Sequence, residues 1–68
     1  MLLGERIKAL RTKANLTRRA LSVRTGEAGV TEQTIGRIET DPAANPEFDT
    51  LRQLAAALHV TVDQLLKF

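Results

Sequence analysis

The chain has 68 residues, 43% of them apolar, and a formal charge of +2 from ten basic and eight acidic side chains. That is enough for one small domain, which buries only about 60% of the surface its unfolded chain exposes. The absence of cysteine and the single histidine exclude disulfides, thiolate metal sites and a histidine metal cluster. No apolar run approaches the roughly 18 residues of a membrane span.

With no Trp or Tyr and only Phe48 and Phe68, the core falls to Leu, Ile, Val and Ala, which suits helices. The first predicted helix carries Leu3, Ile7, Leu10 and Ala14 at helical spacing. It ends near Ala14, with Asn15 as a left-handed cap. Thr17 caps a second helix, Arg18 to about Thr25, with Leu21 inside. Thr31 caps a third, Glu32 to about Glu39, with Ile35 and Ile38 facing inward. A loop punctuated by Pro42 and Pro46 follows. The fourth helix covers about Phe48 to Leu58, with an apolar stripe of Leu51, Leu54, Ala55 and Leu58. His59 stands where that helix stops and reads as its cap. Thr61 and Gln64 form a capping-box pattern that opens a short fifth helix through Leu66. Val60-Thr61-Val62 alternates but is too short for a strand and has no partner. Each helix is too short to be stable alone, so a shared core must hold all of them. The expected fold is all-α, a compact five-helix globule.

Charge is unevenly distributed. Residues 1–26 carry seven basic side chains (Arg6, Lys8, Arg11, Lys13, Arg18, Arg19, Arg24) against Glu5, whereas residues 27–68 carry three basic and seven acidic ones. The split reads either as a basic face for an anionic partner or as a solvated cationic surface. The carboxylates show no paired arrangement and there is no nucleophile–base set, so the chain is expected not to be an enzyme.

The middle of the chain is more informative. A helix of about eight residues, a glycine-containing corner and a capped helix are the parts of a helix-turn-helix unit, spanning about 17–39. In that unit the second helix enters the DNA major groove. Here its outer face offers Glu32, Gln33, Gly36 and Arg37. Gln reads adenine and Arg reads guanine through paired hydrogen bonds. Gly36, lacking a side chain, lets a surface come close. Thr17 and Arg18, at the start of the second helix, suit a phosphate. Arg18 and Arg19 otherwise read as a solvated pair.

The string Leu16-Thr17-Arg18-Arg19-Ala20-Leu21, then Gly29-Val30-Thr31 with Thr34-Ile35 and Ile38-Glu39, then Thr50-Leu51, Leu54-Ala55, Ala57-Leu58 and Val60-Thr61-Val62-Asp63 with Leu65-Leu66 resembles the phage-repressor/Cro-like, or Xre-type, helix-turn-helix family. The resemblance covers essentially the whole chain. It implies a five-helix lambda-repressor-like fold over 1–68, a single domain that binds operator DNA as a dimer. It places base reading on Glu32, Gln33 and Arg37. It places phosphate contacts at Arg18 and around Ala44-Asn45-Pro46, to which Thr17, Thr31 and Thr34 are added as hydroxyl-bearing neighbours. It implies a structural ion pair between Arg11 and Glu39. Asn45 otherwise reads as a turn residue before proline, and Glu32 as a charge that complements a helix amino terminus.

Three departures from the family pattern stand out. The corner carries about three extra residues, Gly26-Glu27-Ala28 or Glu27-Ala28-Gly29. Either the second helix runs on to Gly29, or it ends at Gly26 and a bulge follows; the spacing from Leu21 favours the bulge. Ser22 replaces the usual Ala, and its hydroxyl is expected to bond back to its own helix. The loop 40–47 has no Lys or Arg and offers Asp41 and Glu47, so phosphate neutralisation there is weak.

One domain of this size reads half an operator, so a two-fold homodimer is expected, through Val62, Leu66 and Phe68, which leave apolar surface near the fifth helix. Phe68 could equally tuck against its own core. The expected function is a transcriptional regulator, a repressor, that binds double-stranded operator DNA. The alternative is a protein-interaction module, such as an antitoxin, on the same fold. No signal peptide is seen, since Met1-Leu2-Leu3 runs directly into Gly4-Glu5-Arg6. A cytoplasmic protein without cofactor, metal, small-molecule ligand or membrane association is expected.

Overall fold

The computed structural model describes residues 2–26 and 29–67. Glu27, Ala28 and Phe68 lie outside the described residues, so the middle of the expected bulge and one of the three dimer candidates are not placed. Among the described residues five helices follow one another: α1 (Leu3–Lys13), α2 (Arg18–Thr25), α3 (Glu32–Thr40), α4 (Phe48–Ala57) and α5 (Val62–Leu66). Among the described residues there is no strand.

α1, α2, α3 and α5 begin where a side chain replaces a missing backbone partner, whereas α4 starts at Glu47 without a side-chain cap. The Glu5 carboxylate accepts the Leu2 N–H at 3.0 Å at the start of α1. Thr17 Oγ1 accepts from Ala20 N–H at 3.0 Å, and Thr31 Oγ1 from Thr34 N–H at 3.1 Å. Thr61 and Gln64 cap each other reciprocally, at 3.0 and 2.9 Å. Two turns exit through left-handed residues, Asn15 and His59, both at φ 59°. α3 is one residue longer than the sequence pattern predicts and α4 one shorter, the usual scatter at fraying ends.

The core is aliphatic. Ile7, Leu21, Ile35, Leu54 and Leu65, one from each helix, are completely buried. Val30, Ile38, Leu51, Ala55, Ala57 and Leu58 complete it, and Leu3, Leu10, Leu16, Val60 and Val62 pack on its edge. α3 is held between α1 and α2; α2 also packs on α4, and α5 bridges α1 and α4. The α1–α3 crossing is close because of Gly4: a Cβ there would run into the backbone carbonyl of Ile38. This places the carboxyl end of α3 directly under the start of α1.

Candidate nucleic-acid interface

The α2–α3 corner sets the direction of α3. α2 ends at Thr25, and Gly26 follows at φ 93°, a left-handed conformation that glycine takes at little cost. The helix therefore stops at Gly26 rather than running on to Gly29. Two hydroxyls then fasten the far side of the corner. Thr25 Oγ1 donates to Ser22 O at 2.6 Å and accepts the Val30 N–H at 2.9 Å. Ser22 Oγ donates to the Val30 carbonyl at 2.7 Å. The expectation that Ser22 bonds back to its own helix is thus corrected. The Val30 carbonyl, in the turn before α3, lies within reach of the Ser22 hydroxyl and accepts it instead.

At the other end of α3 the Glu39 carboxylate is a shared node. Arg11 reaches it twice, Nε to Oε2 at 2.7 Å and Nη2 to Oε1 at 3.0 Å. Arg11 Nη1 donates to the Leu16 carbonyl at 2.7 Å, so this guanidinium also fixes the α1–α2 turn. Arg18, the first residue of α2, donates Nε to Oε1 at 3.2 Å. The Glu39 side chain is fully covered, that of Arg11 is 11% exposed and that of Arg18 is 37% exposed. Burial alone would raise the Glu39 carboxyl; the hydrogen bonds and charges of Arg11 and Arg18 more than offset this and hold it below its usual range. The hydrogen bond to Glu39 raises the Arg11 guanidinium against the opposing effect of burial. One buried carboxylate shared by two guanidinium groups leaves a net positive charge, and its exposed part is Arg18.

The outer face of α3 carries the other candidates. Glu32, Gln33, Thr34 and Arg37 are exposed, while Ile35 and Ile38 are buried. Thr31 bonds to the Thr34 hydroxyl at 2.9 Å, so both hydroxyls are fixed at the head of the helix. Thr34, Arg37, Asn45, Pro46 and Thr50 line one groove of about 180 Å3, which joins α3 to the loop before α4. Beyond it, Asp41 turns the chain: its Oδ1 accepts the Ala43 N–H at 2.9 Å and its carbonyl the Ala44 N–H at 3.0 Å. Asp41, one of the two acidic residues in this loop, is therefore a turn former. Val62 is half-buried against the core and Leu66 is 45% exposed. No group of acidic or histidine side chains that could hold a metal ion occurs among the described residues.

Three features were not read from the sequence. Arg18 shares Glu39 with Arg11; the bare position Gly36, one helical turn before Glu39, marks room beside that carboxylate but does not tell what fills it. Thr25 organises the corner, and its signal was a hydroxyl at the last position of a helix. Phe48, at the head of α4, is 67% exposed. An aromatic residue at a helix start gives no sequence signal that separates an exposed from a buried placement.

Five helices around an aliphatic core, with α2 and α3 joined through a glycine corner and the polar face of α3 left open, define a helix-turn-helix domain. The helix-turn-helix family model matches residues 7–65, and the chain belongs to that family. Among solved structures it is similar to a chain in the SinR protein–SinI protein complex, with 29% identity and a TM-score of 0.84; the match covers 97% of this chain and 61% of that one. It is also similar to the apo form of the competence regulator ComR from Streptococcus vestibularis, with 30% identity and a TM-score of 0.83; there it covers 94% of this chain and 20% of that one. The chain thus spans less than two thirds of the length of either neighbour. No curated protein sequence matches it.

Proposed function

We propose that this chain is a transcriptional regulator, a repressor, that binds double-stranded operator DNA with α3 in the major groove. The observation that carries the proposal is the open outer face of α3, where Glu32, Gln33 and Arg37 are exposed beside a groove shared with Asn45. Gln33 and Arg37 read base edges, each supplying about 1–3 kcal/mol of discrimination. Glu32 accepts from cytosine N4. Arg18, Thr17, Thr31, Thr34 and Asn45 hold phosphates and set the register. Family membership and the likeness to a competence regulator support this reading. Two copies act as a dimer through the α5 end (Val62, Leu66 and Phe68), with half-sites about 34 Å apart. The exposed Leu66 supports that placement. The protein works in the cytoplasm, and no described helix is long and apolar enough to cross a membrane.

The test is selection of binding sites from a random duplex pool, then titration of the winner by fluorescence anisotropy at several salt concentrations. The expected result is a palindromic site whose affinity falls as salt rises. Gln33→Ala combined with Arg37→Ala is expected to lose at least tenfold in affinity and to relax specificity. Unchanged affinity in that double variant would remove these residues from the reading face.

A second reading rests on a separate observation. One of the similar structures is a complex of two proteins, and Glu32 at the start of α3, with Asp41 and Glu47 in the loop before α4, offers acidic side chains to a partner. On this reading the same fold covers a protein partner, as an antitoxin does. A co-purifying partner together with no enrichment of any DNA site is its signature.

A further inference from the structure

Gly36 sits on the outer face of α3, one helical turn before Glu39. The space above it is occupied. A Cβ on Gly36 would stand 3.3 Å from Nη1 of Arg18 and 3.7 Å from its Cδ and Cζ. The Arg18 side chain therefore leaves the first turn of α2, crosses the bare strip at Gly36 and ends with its Nε on the buried Glu39 carboxylate. Gly36 is costly for the helix, by propensity alone, and its φ is that of an ordinary helical residue, so backbone geometry does not require glycine there. What the missing side chain provides is room for Arg18.

The two arginines on Glu39 differ in what they leave free. All three nitrogens of Arg11 donate to protein acceptors, and its side chain is nearly covered. Arg18 spends only Nε on Glu39, and among the described residues neither of its Nη groups makes a hydrogen bond. Its side chain stays 37% exposed at the α2–α3 junction, held by a covered carboxylate that Arg11 fixes with two hydrogen bonds. Arginine presents a planar fork of donors suited to phosphate, and fixing the fork in advance removes the entropy otherwise lost on binding.

We propose that Gly36 is a positioning residue: its bare surface is the seat in which Glu39 holds the Arg18 guanidinium, so that α2 supplies to the DNA-facing surface, at position 36, the phosphate-binding group that α3 itself lacks there. The inference rests on the DNA-binding reading and adds a specific dependence to it. The surface that approaches Gly36 is the neighbouring helix's arginine. A side chain at 36 displaces Arg18 while α3 itself gains helix propensity, which offsets the lost Arg18–Glu39 contact, so DNA affinity falls without a matching loss of stability.

The experiment uses the full chain and four proteins: wild type, Gly36→Leu, Arg18→Gln and the double variant. Thermal melting, the NMR signal of the Arg18 Nε–H and affinity for a selected duplex over a range of salt are measured for each. Gly36→Leu is expected to melt no lower than wild type, because leucine is a strong helix former. It should lose the protected Arg18 Nε–H signal, bind DNA about tenfold more weakly and show a salt slope shallower by about one. Arg18→Gln should show the same loss, and adding Gly36→Leu to it should change affinity no further.

Equal losses from Gly36→Leu with and without Arg18 would mean that the leucine meets DNA directly, which overturns the seat and leaves the DNA reading intact. An Arg18 Nε–H signal unchanged by Gly36→Leu would overturn it without reference to DNA. A wild-type protein that binds no duplex in a salt-dependent way would overturn the DNA reading and this inference with it.

Discussion

At its carboxyl end, α3 is held by charge and close backbone contact; at its amino end, it is held by neutral hydroxyls. Glu39 lies fully covered between Arg11 and Arg18, and Gly4 of α1 rests on the Ile38 carbonyl beside it. Around Val30, by contrast, the Thr25 hydroxyl accepts the backbone N–H, the Thr25 and Ser22 hydroxyls both reach the carbonyl, and Thr31 caps the helix in an exposed position. The difference separates anchoring from reading. A buried ion pair tolerates no adjustment, because either charge left alone is heavily penalised. A set of neutral hydrogen bonds, each worth about 1 kcal/mol, permits small changes of angle at the end of α3 that carries Glu32 and Gln33, the proposed base readers.

The largest effects should come from the anchored end. Glu39→Gln removes the negative charge and leaves two guanidinium groups facing a neutral amide. A loss of about 3–5 kcal/mol is expected, against a total of roughly 3–10 kcal/mol for a domain of this length. Urea denaturation measures it. Arg11→Met should cost a similar amount. Arg18→Gln should cost about 1 kcal/mol or less, since its side chain is 37% exposed and solvent screens the pair. Equal losses at the two arginines would break the distinction between them. The same carboxylate gives a pH dependence. Glu39 is held below the value of about 4.3 that it has in the unfolded chain. Its contribution is therefore fully present above that pH and is lost as pH falls through the depressed folded value. Acid unfolding followed by circular dichroism should show this slope in wild type and lack it in Glu39→Gln.

Gly4→Ala should be next. Its Cβ collides with the backbone of α3, which cannot swing aside as a side chain tip can, and overpacking of this kind costs about 1–3 kcal/mol. Thr25→Val tests the neutral end. It keeps the shape and removes the partner of the Val30 N–H, for an expected loss of about 1–3 kcal/mol. Hydrogen exchange separates the two ends further: Thr25→Val should speed exchange of the Val30 amide and leave the Ile38–Glu39 region close to wild type.

The contrast between the ends also explains what could be read from the sequence. Capping threonines, the left-handed Asn15 and His59 and the apolar stripes are local signals, decided within three or four residues of the chain, and they give the helices to within one residue at most ends. The corner was ambiguous because Gly26 and Gly29 are equally able to stop a helix. The choice between them follows from the Thr25 hydroxyl meeting the Val30 N–H, a contact that exists only once the turn is folded. Ser22 was ambiguous for the same reason, since a helical serine always has a nearby carbonyl of its own. Arg18 lies 21 positions from Glu39 in sequence, and no local pattern reveals that the space above Gly36 is filled. The exposed candidates Glu32, Gln33 and Arg37 were legible as a face because helical periodicity decides which side of α3 is buried.

The smallest predicted effect is the most discriminating for the amino end. Thr31→Ala removes the hydroxyl that accepts the Thr34 N–H, for a loss of about 1 kcal/mol by capping alone. Thr31→Asp restores a cap and adds a negative charge that favours a helix amino terminus, so its stability should equal or exceed that of wild type. Its DNA affinity should fall, because the same carboxylate repels the phosphates that Thr31 is proposed to hold. If Thr31→Asp recovers stability and affinity together, Thr31 is only a cap and the backbone contacts lie elsewhere on the surface. If stability returns and affinity does not, the head of α3 lies against the phosphates, as the docking of a recognition helix in the major groove requires.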